Sequence, residues 1–126
     1  MFVPPQQKIC GIRSLCGKPR QQSEMYLLAA TFPVSEFLPL ASKRSAGKSV
    51  KYKGKSYAVV VATPDVFKGV EIGLFSAGAK ISEQLAPAAV KHGTVVIDNT
   101  SHFRIVKDVP LVVPEVNGHV LKTHKG

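Results

Sequence analysis

VEIGLFSAGAKISEQLAPAAVKHGTVVIDNTS, residues 70–101, decides the fold class. Its first nine residues form an apolar run broken by one acid, Glu71, and they close on the small residues Ser76, Ala77 and Gly78. That is the composition of a buried strand whose carboxyl end opens onto a ligand crevice. Ile81, Leu85, Ala88 and Ala89 then follow the i, i+4, i+7, i+8 spacing of one helical face. The helix should close at Gly93, and Pro87 should kink or restart it. TVVIDNTS, residues 94–101, reads as a second buried strand.

Working outward, the same alternation continues. FLPLAS, residues 37–42, reads as a short buried strand, although Pro39 cannot donate to a central ladder. YAVVVA, residues 57–62, is another apolar run, followed by Thr63 as a helix cap, Pro64 at the first helical position and a short helix stopping at Gly69. DVPLVVPEVN, residues 108–117, supplies a final short strand. Continuously apolar strands alternating with helices give an α/β doubly wound, Rossmann-like parallel sheet with helices on both faces. Ligands of such sheets bind at the strand carboxyl ends, which here read SKRSAG, SAGAK and DNTSHFR.

Composition narrows the class further. The chain has 126 residues, 17 basic and 8 acidic, a formal charge of +9, and 44% apolar residues, which fits one globular domain. No apolar run approaches the ~18 to 20 residues of a membrane span, and residues 1–31 lack a basic head followed by an apolar stretch. Cys10 and Cys16 have no second ligand pair, and the four histidines make no helical HExxH pair, so no metal site is expected. Residues 1–31 show no strand or helix periodicity through residue 23, and they are expected to be a poorly ordered leader; QQSEMYLLAA, residues 21–30, permits a short helix.

Charge is concentrated in one stretch. Lys43, Arg44, Lys48, Lys51, Lys53 and Lys55 fall in 13 consecutive positions without an acid. Lys51, Lys53 and Lys55 alternate with Tyr52 and Gly54, the pattern of a solvated hairpin turning at Gly54, and a nucleic-acid footprint is the weaker reading. SKRSAG is different, because it follows an early strand. An acid there would hold the adenosine ribose, whereas an arginine with hydroxyls would receive the 2′-phosphate of NADP. No acid lies between Glu36 and Asp65, so Ser42, Arg44 and Ser45 favour NADP, with a plain basic loop as the alternative.

LASKRSAG, ATPDVF, LFSAG, VIDNTSHFR and VPLVVPEVN lie in order between residues 32 and 117, and this stretch resembles the amino-terminal NADP-binding domain of aspartate-semialdehyde dehydrogenases. The resemblance implies a partial dinucleotide-binding domain over residues 32–117 and a tail over 118–126. It implies NADP held by Ser42, Arg44 and Ser45, with Ser76, Ala77 and Gly78 letting the backbone approach the cofactor. Arg104 would bind the phosphate or acyl-phosphate of the substrate, with Asn99, Thr100 and Ser101 shaping that loop. Taken from spacing alone, Arg104 could equally pair with Asp108. Asp98 is expected to order the turn.

The implied reaction converts aspartate semialdehyde, phosphate and NADP to aspartyl-4-phosphate and NADPH, and serves amino-acid biosynthesis. It needs a cysteine nucleophile and a histidine acid/base. Neither matches a position in this chain, so no catalytic residue is assigned and the chain alone is expected to be inactive. The family's glycine-rich turn is also missing, since no two glycines are two or three positions apart. Without it the first strand is not recognisable, and the sheet is expected to be incomplete, short of its central member and marginally stable. A homodimer, or a heterodimer with a full-length homologue, is the expected assembly. A cytoplasmic location is expected, with a plastid one as the alternative because residues 1–23 are basic and acid-free.

Overall fold

The computed structural model describes residues 7–13 and 33–126. Its strands are β1 (Gln7–Arg13), β2 (Val34–Ala41), β3 (Ser49–Tyr52), β4 (Lys55–Ala58), β5 (Val60–Val61), β6 (Ile72–Ser76) and β7 (Val95–Asp98), and its α-helices are α1 (Ala79–Lys91) and the single turn α2 (Pro114–Asn117). Five strands make one sheet in the order β5-β2-β1-β6-β7. All four pairings are parallel. The chain winds outward from β1 to one edge and then crosses back to β6, so the strand order reverses between β1 and β6. That reversal is where a doubly wound sheet leaves its crevice.

The central strand corrects two expectations. QKICGIR, within the leader expected to be poorly ordered, is β1, and the sheet has its middle member. The remaining leader residues, including the helix expected over 21–30, lie outside the described residues. β1 has little pattern of its own, but neighbours on both sides stabilise it. Ile9 and Cys10 are buried. At its start, Lys8 Nζ pairs with Glu36 of β2 at 3.0 Å, and the Lys8 N–H donates to the Glu71 carboxylate at 2.8 Å.

α1 covers the sheet with Ser82, Leu85, Ala86 and Ala89. Cys10, Leu40, Phe67, Val70 and Phe75 complete this core, with the Phe67 and Phe75 rings stacked at 5.9 Å. Pro87 does not break α1. The carbonyl it leaves without a helical partner is that of Glu83, and both residues are exposed, so water can satisfy the missing rung. Phe37 alternates with Leu38 and Leu40 along β2, and on its own face it joins Tyr52 and Tyr57 of the hairpin made by β3 and β4. The hairpin turns at Lys53 and Gly54, both with positive φ, and Lys51, Lys53 and Lys55 are exposed, as the alternation predicts.

Four further expectations change. YAVVVA is not one strand: Tyr57 and Ala58 belong to the hairpin, while Val60 and Val61 pair with β2. Because β5 reaches only Leu40 and Ala41, Pro39 lies outside that pairing. β7 is not fully buried, since it closes the order and leaves Val95 and Ile97 38% and 53% exposed. Residues 108–113 form no strand. There Asn117 Nδ2 donates to the Leu111 carbonyl and its Oδ1 accepts from Val113 N–H, which curls the segment into α2. Thr63 precedes a 3-10 turn at Pro64–Phe67 but makes no side-chain cap. No described helix is long and apolar enough to cross a membrane.

Candidate functional site

Register places the strand ends on a common line. Leu40 of β2 is level with Ile12 of β1, Ile12 with Phe75 of β6, and Phe75 with Asp98 of β7. The segments that follow therefore emerge side by side. At ~4.8 Å per strand, the ends of β2 and β6 stand about 10 Å apart, and those of β2 and β7 about 14 Å. An extended ligand lying across this edge can touch all three.

At the β2 end, Ser42 precedes a 3-10 turn at Lys43–Ser45, closed by Ser45 N–H donating to the Ser42 carbonyl at 2.9 Å. Ser42 and Arg44 are exposed, and Ser45 is buried. The Ser42 hydroxyl makes no cap bond. Among the described residues no ion pair or hydrogen bond engages the Arg44 guanidinium.

At the β6 end, Ser76 and Ala77 are half-buried and Gly78 has φ 104°. A Cβ at Gly78 would meet nothing within 4 Å, so glycine is needed there for its backbone angle and not for space. That angle turns the chain directly into α1, whose first bonds run from Ile81 and Ser82 N–H to the Gly78 carbonyl. The first amides of α1 are thereby left at the carboxyl edge, where they suit an anion.

The β7 end is the most elaborately bonded. Asp98 accepts from Thr100 N–H at 2.7 Å through one oxygen and from Thr100 Oγ1 at 3.0 Å through the other, so it orders the turn as expected. Asn99 N–H donates to the Phe75 carbonyl, and its Nδ2 donates to Ser76 Oγ at 3.4 Å. Phe103 packs against the core and anchors a 3-10 turn at His102–Ile105. From that turn the exposed Arg104 donates through Nε to the Thr100 carbonyl at 3.2 Å and through Nη2 to the Asn99 carbonyl at 3.0 Å. It forms no ion pair with Asp108 among the described residues. Ser101 is exposed and makes no side-chain cap.

Ser76, Asn99 and Arg104 thus form one connected group, while Ser42, Arg44 and Ser45 stand two strands away on the same edge. Thr100 Oγ1 also lies 3.1 Å from the buried Ser82 Oγ. Sequence reasoning missed Ser82, although a hydroxyl on the apolar face of α1 is a signal in itself. Cys10 is no nucleophile for this edge. It lies in the core, where burial pushes its thiol up to about 12, leaving it protonated at neutral pH.

Residues 21–124 match the model of the semialdehyde dehydrogenase NAD-binding domain. The chain belongs to that family. It is 55% identical over 96 residues to an aspartate-semialdehyde dehydrogenase of Campylobacter jejuni, covering 75% of this chain and 28% of the relative. A crystal structure of aspartate semialdehyde dehydrogenase II from Vibrio cholerae, in complex with ASA, superposes with TM-score 0.82 at 42% identity, covering 94% of this chain and 39% of that one. The enzyme of Candida albicans, solved with NADP, superposes with TM-score 0.67 at 28% identity, covering 91% of this chain and 36% of that one. The chain therefore spans between a quarter and two-fifths of the length of these relatives. It is a Rossmann-like nicotinamide-nucleotide-binding domain of an oxidoreductase family.

Proposed function

We propose that the chain binds NADP across the carboxyl edge of its sheet, as the cofactor-binding part of an aspartate-semialdehyde dehydrogenase. The exposed Arg44 guanidinium, engaged by no described partner and two residues from the exposed Ser42, whose hydroxyl makes no cap bond, carries this reading. A planar fork of donors suits a terminal phosphate group, which bare ribose lacks. Ser45, being buried, shapes the turn and leaves the direct contact to Ser42 and Arg44. The left-handed Gly78 and the first amides of α1 fit the approach of the dinucleotide backbone. NADP, when bound, exchanges a hydride with the substrate.

Arg104 fits the phosphate or acyl-phosphate of that substrate. Two of its nitrogens are held by carbonyls, and among the described residues Nη1 has no partner and can face an anion. Asn99 and Ser101 flank it in the same loop. No residue of this chain is assigned as nucleophile or acid/base, and the buried, protonated thiol of Cys10 does not suit the former role. The chain alone is therefore inactive in the full reaction, aspartate semialdehyde with phosphate and NADP giving aspartyl-4-phosphate and NADPH. Amide NMR mapping tests the cofactor reading: adding NADP should shift residues 42–46 and 76–80 and spare the hairpin tip at Lys53 and Gly54. Shifts confined to the hairpin would refute it and favour a basic surface for nucleic acid.

Association with a full-length dehydrogenase is a second reading. It is supported by Ile97, Ile105, Leu111 and Val116, which are 53%, 94%, 59% and 78% exposed on β7 and in the segment after it. Co-purification of the two chains tests it, and loss of the complex in Ile105→Asp with Val116→Asp is the expected control.

A further inference from the structure

We infer that Ser82 is a positioning residue: its buried hydroxyl locks the turn at residues 98–100, in which the Asn99 and Thr100 carbonyls hold the Arg104 guanidinium. The inference rests on the assignment of Arg104 to a phosphate group, and it explains how that side chain is aimed.

Ser82 is wholly buried in the first turn of α1, on the face that carries Leu85, Ala86 and Ala89. A hydroxyl there requires a partner, because an unmade bond leaves a desolvated polar atom. Its oxygen lies 3.1 Å from Thr100 Oγ1, which lies 3.0 Å from Asp98 Oδ2. Thr100 has one hydroxyl proton, and an ionised carboxylate only accepts. For both contacts to be hydrogen bonds, Thr100 donates to Asp98 and Ser82 donates to Thr100. With Thr100 N–H on the other carboxylate oxygen, the turn is fixed at three points.

The carbonyls of Asn99 and Thr100 are part of this turn, and they accept from Nη2 and Nε of Arg104. The guanidinium plane is thus set by a chain of bonds that begins inside α1. That helix follows directly on Gly78, so the turn proposed to face the dinucleotide and the arginine proposed to face the anion share one rigid support. If the role of Ser82 were only to satisfy a buried hydroxyl, its loss would lower stability and leave Arg104 unaffected.

The test follows the Arg104 Nε–H resonance of the 15N-labelled chain, with inorganic phosphate as the probe. In the wild type this proton should exchange slowly with solvent and shift on phosphate addition. Ser82→Ala should keep the amide spectrum of β6, speed Nε–H exchange by roughly five- to tenfold and weaken phosphate binding by a similar factor, the scale of one lost hydrogen bond. Thr100→Val should do the same, covering the case in which Ser82→Ala fails to fold, and Thr100→Ser should restore both readouts. Unchanged exchange in a folded Ser82→Ala or Thr100→Val chain overturns the inference. Faster exchange in chains that never respond to phosphate would support Ser82 as the lock and remove the phosphate assignment of Arg104.

Discussion

The β7 and β2 ends of the carboxyl edge are held in different ways. After β7, the polar groups of Asp98, Asn99, Thr100 and Arg104 bond one another and reach Ser76 and Ser82. After β2, Ser42 and Arg44 are exposed, and among the described residues a main-chain turn alone organises them. A guanidinium already held loses little freedom on binding, whereas a free one gives up side-chain entropy of ~1.5 to 2 kcal/mol. The β7 end therefore supplies geometry. The β2 end supplies an exposed charge, the feature on which the proposed preference for NADP rests.

Substitutions should separate the two ends by stability. The largest loss is expected at Gly73, in β6 beside β7, where an added Cβ would sit 3.1 Å from the Phe75 ring and 3.2 Å from the Thr94 methyl. Phe75 and Thr94 are both buried, so Gly73→Ala should cost about 1 to 3 kcal/mol in urea denaturation. Asp98→Ala removes both acceptors of Thr100 and should cost about 2 kcal/mol by the same measurement.

Cys10 lies in β1, between the two ends, and gives a pH signature. Its thiol is raised from 9.0 to about 12, so the fold favours the protonated form. That contribution is whole below pH 9, where the unfolded thiol is also protonated, and it is lost as pH climbs toward 12. The fall approaches ~1.4 kcal/mol per pH unit, and it should vanish from the pH dependence of Cys10→Ala chains measured between pH 8 and 11. Arg44→Ala is the smallest change, within about 0.5 kcal/mol of wild type in thermal and urea unfolding. The contrast between the ends fails if Arg44→Ala destabilises as much as Asp98→Ala.

The same contrast marks what the sequence makes legible. The unit of β6, α1 and β7 carries its own periodicity, and the parallel-sheet rule brings Ser42, Arg44, Ser76 and Arg104 to one edge. β1 was hidden because Ile9, Cys10, Gly11 and Ile12 form too short a run, and its strand state comes from pairing with β2 and β6. DVPLVVPEVN looked like a strand through its valines, but Pro110, Pro114 and the two Asn117 side-chain bonds bend it. The exposure of β7 depended on its place at the end of the sheet order, which local composition does not encode. Ser82 stands out as a hydroxyl on the apolar face of α1, but its partner Thr100, 18 residues away, is not legible from local sequence.

Fluorescence titration of the 126-residue chain with NADPH and with NADH, repeated on Arg44→Ala, tests whether the β2 end reads the 2′-phosphate. NADPH should bind more tightly by roughly 10- to 100-fold, the scale of a charged hydrogen bond, and that preference should collapse in the variant. Equal affinities for the two coenzymes, or a preference that survives loss of the guanidinium, would contradict it.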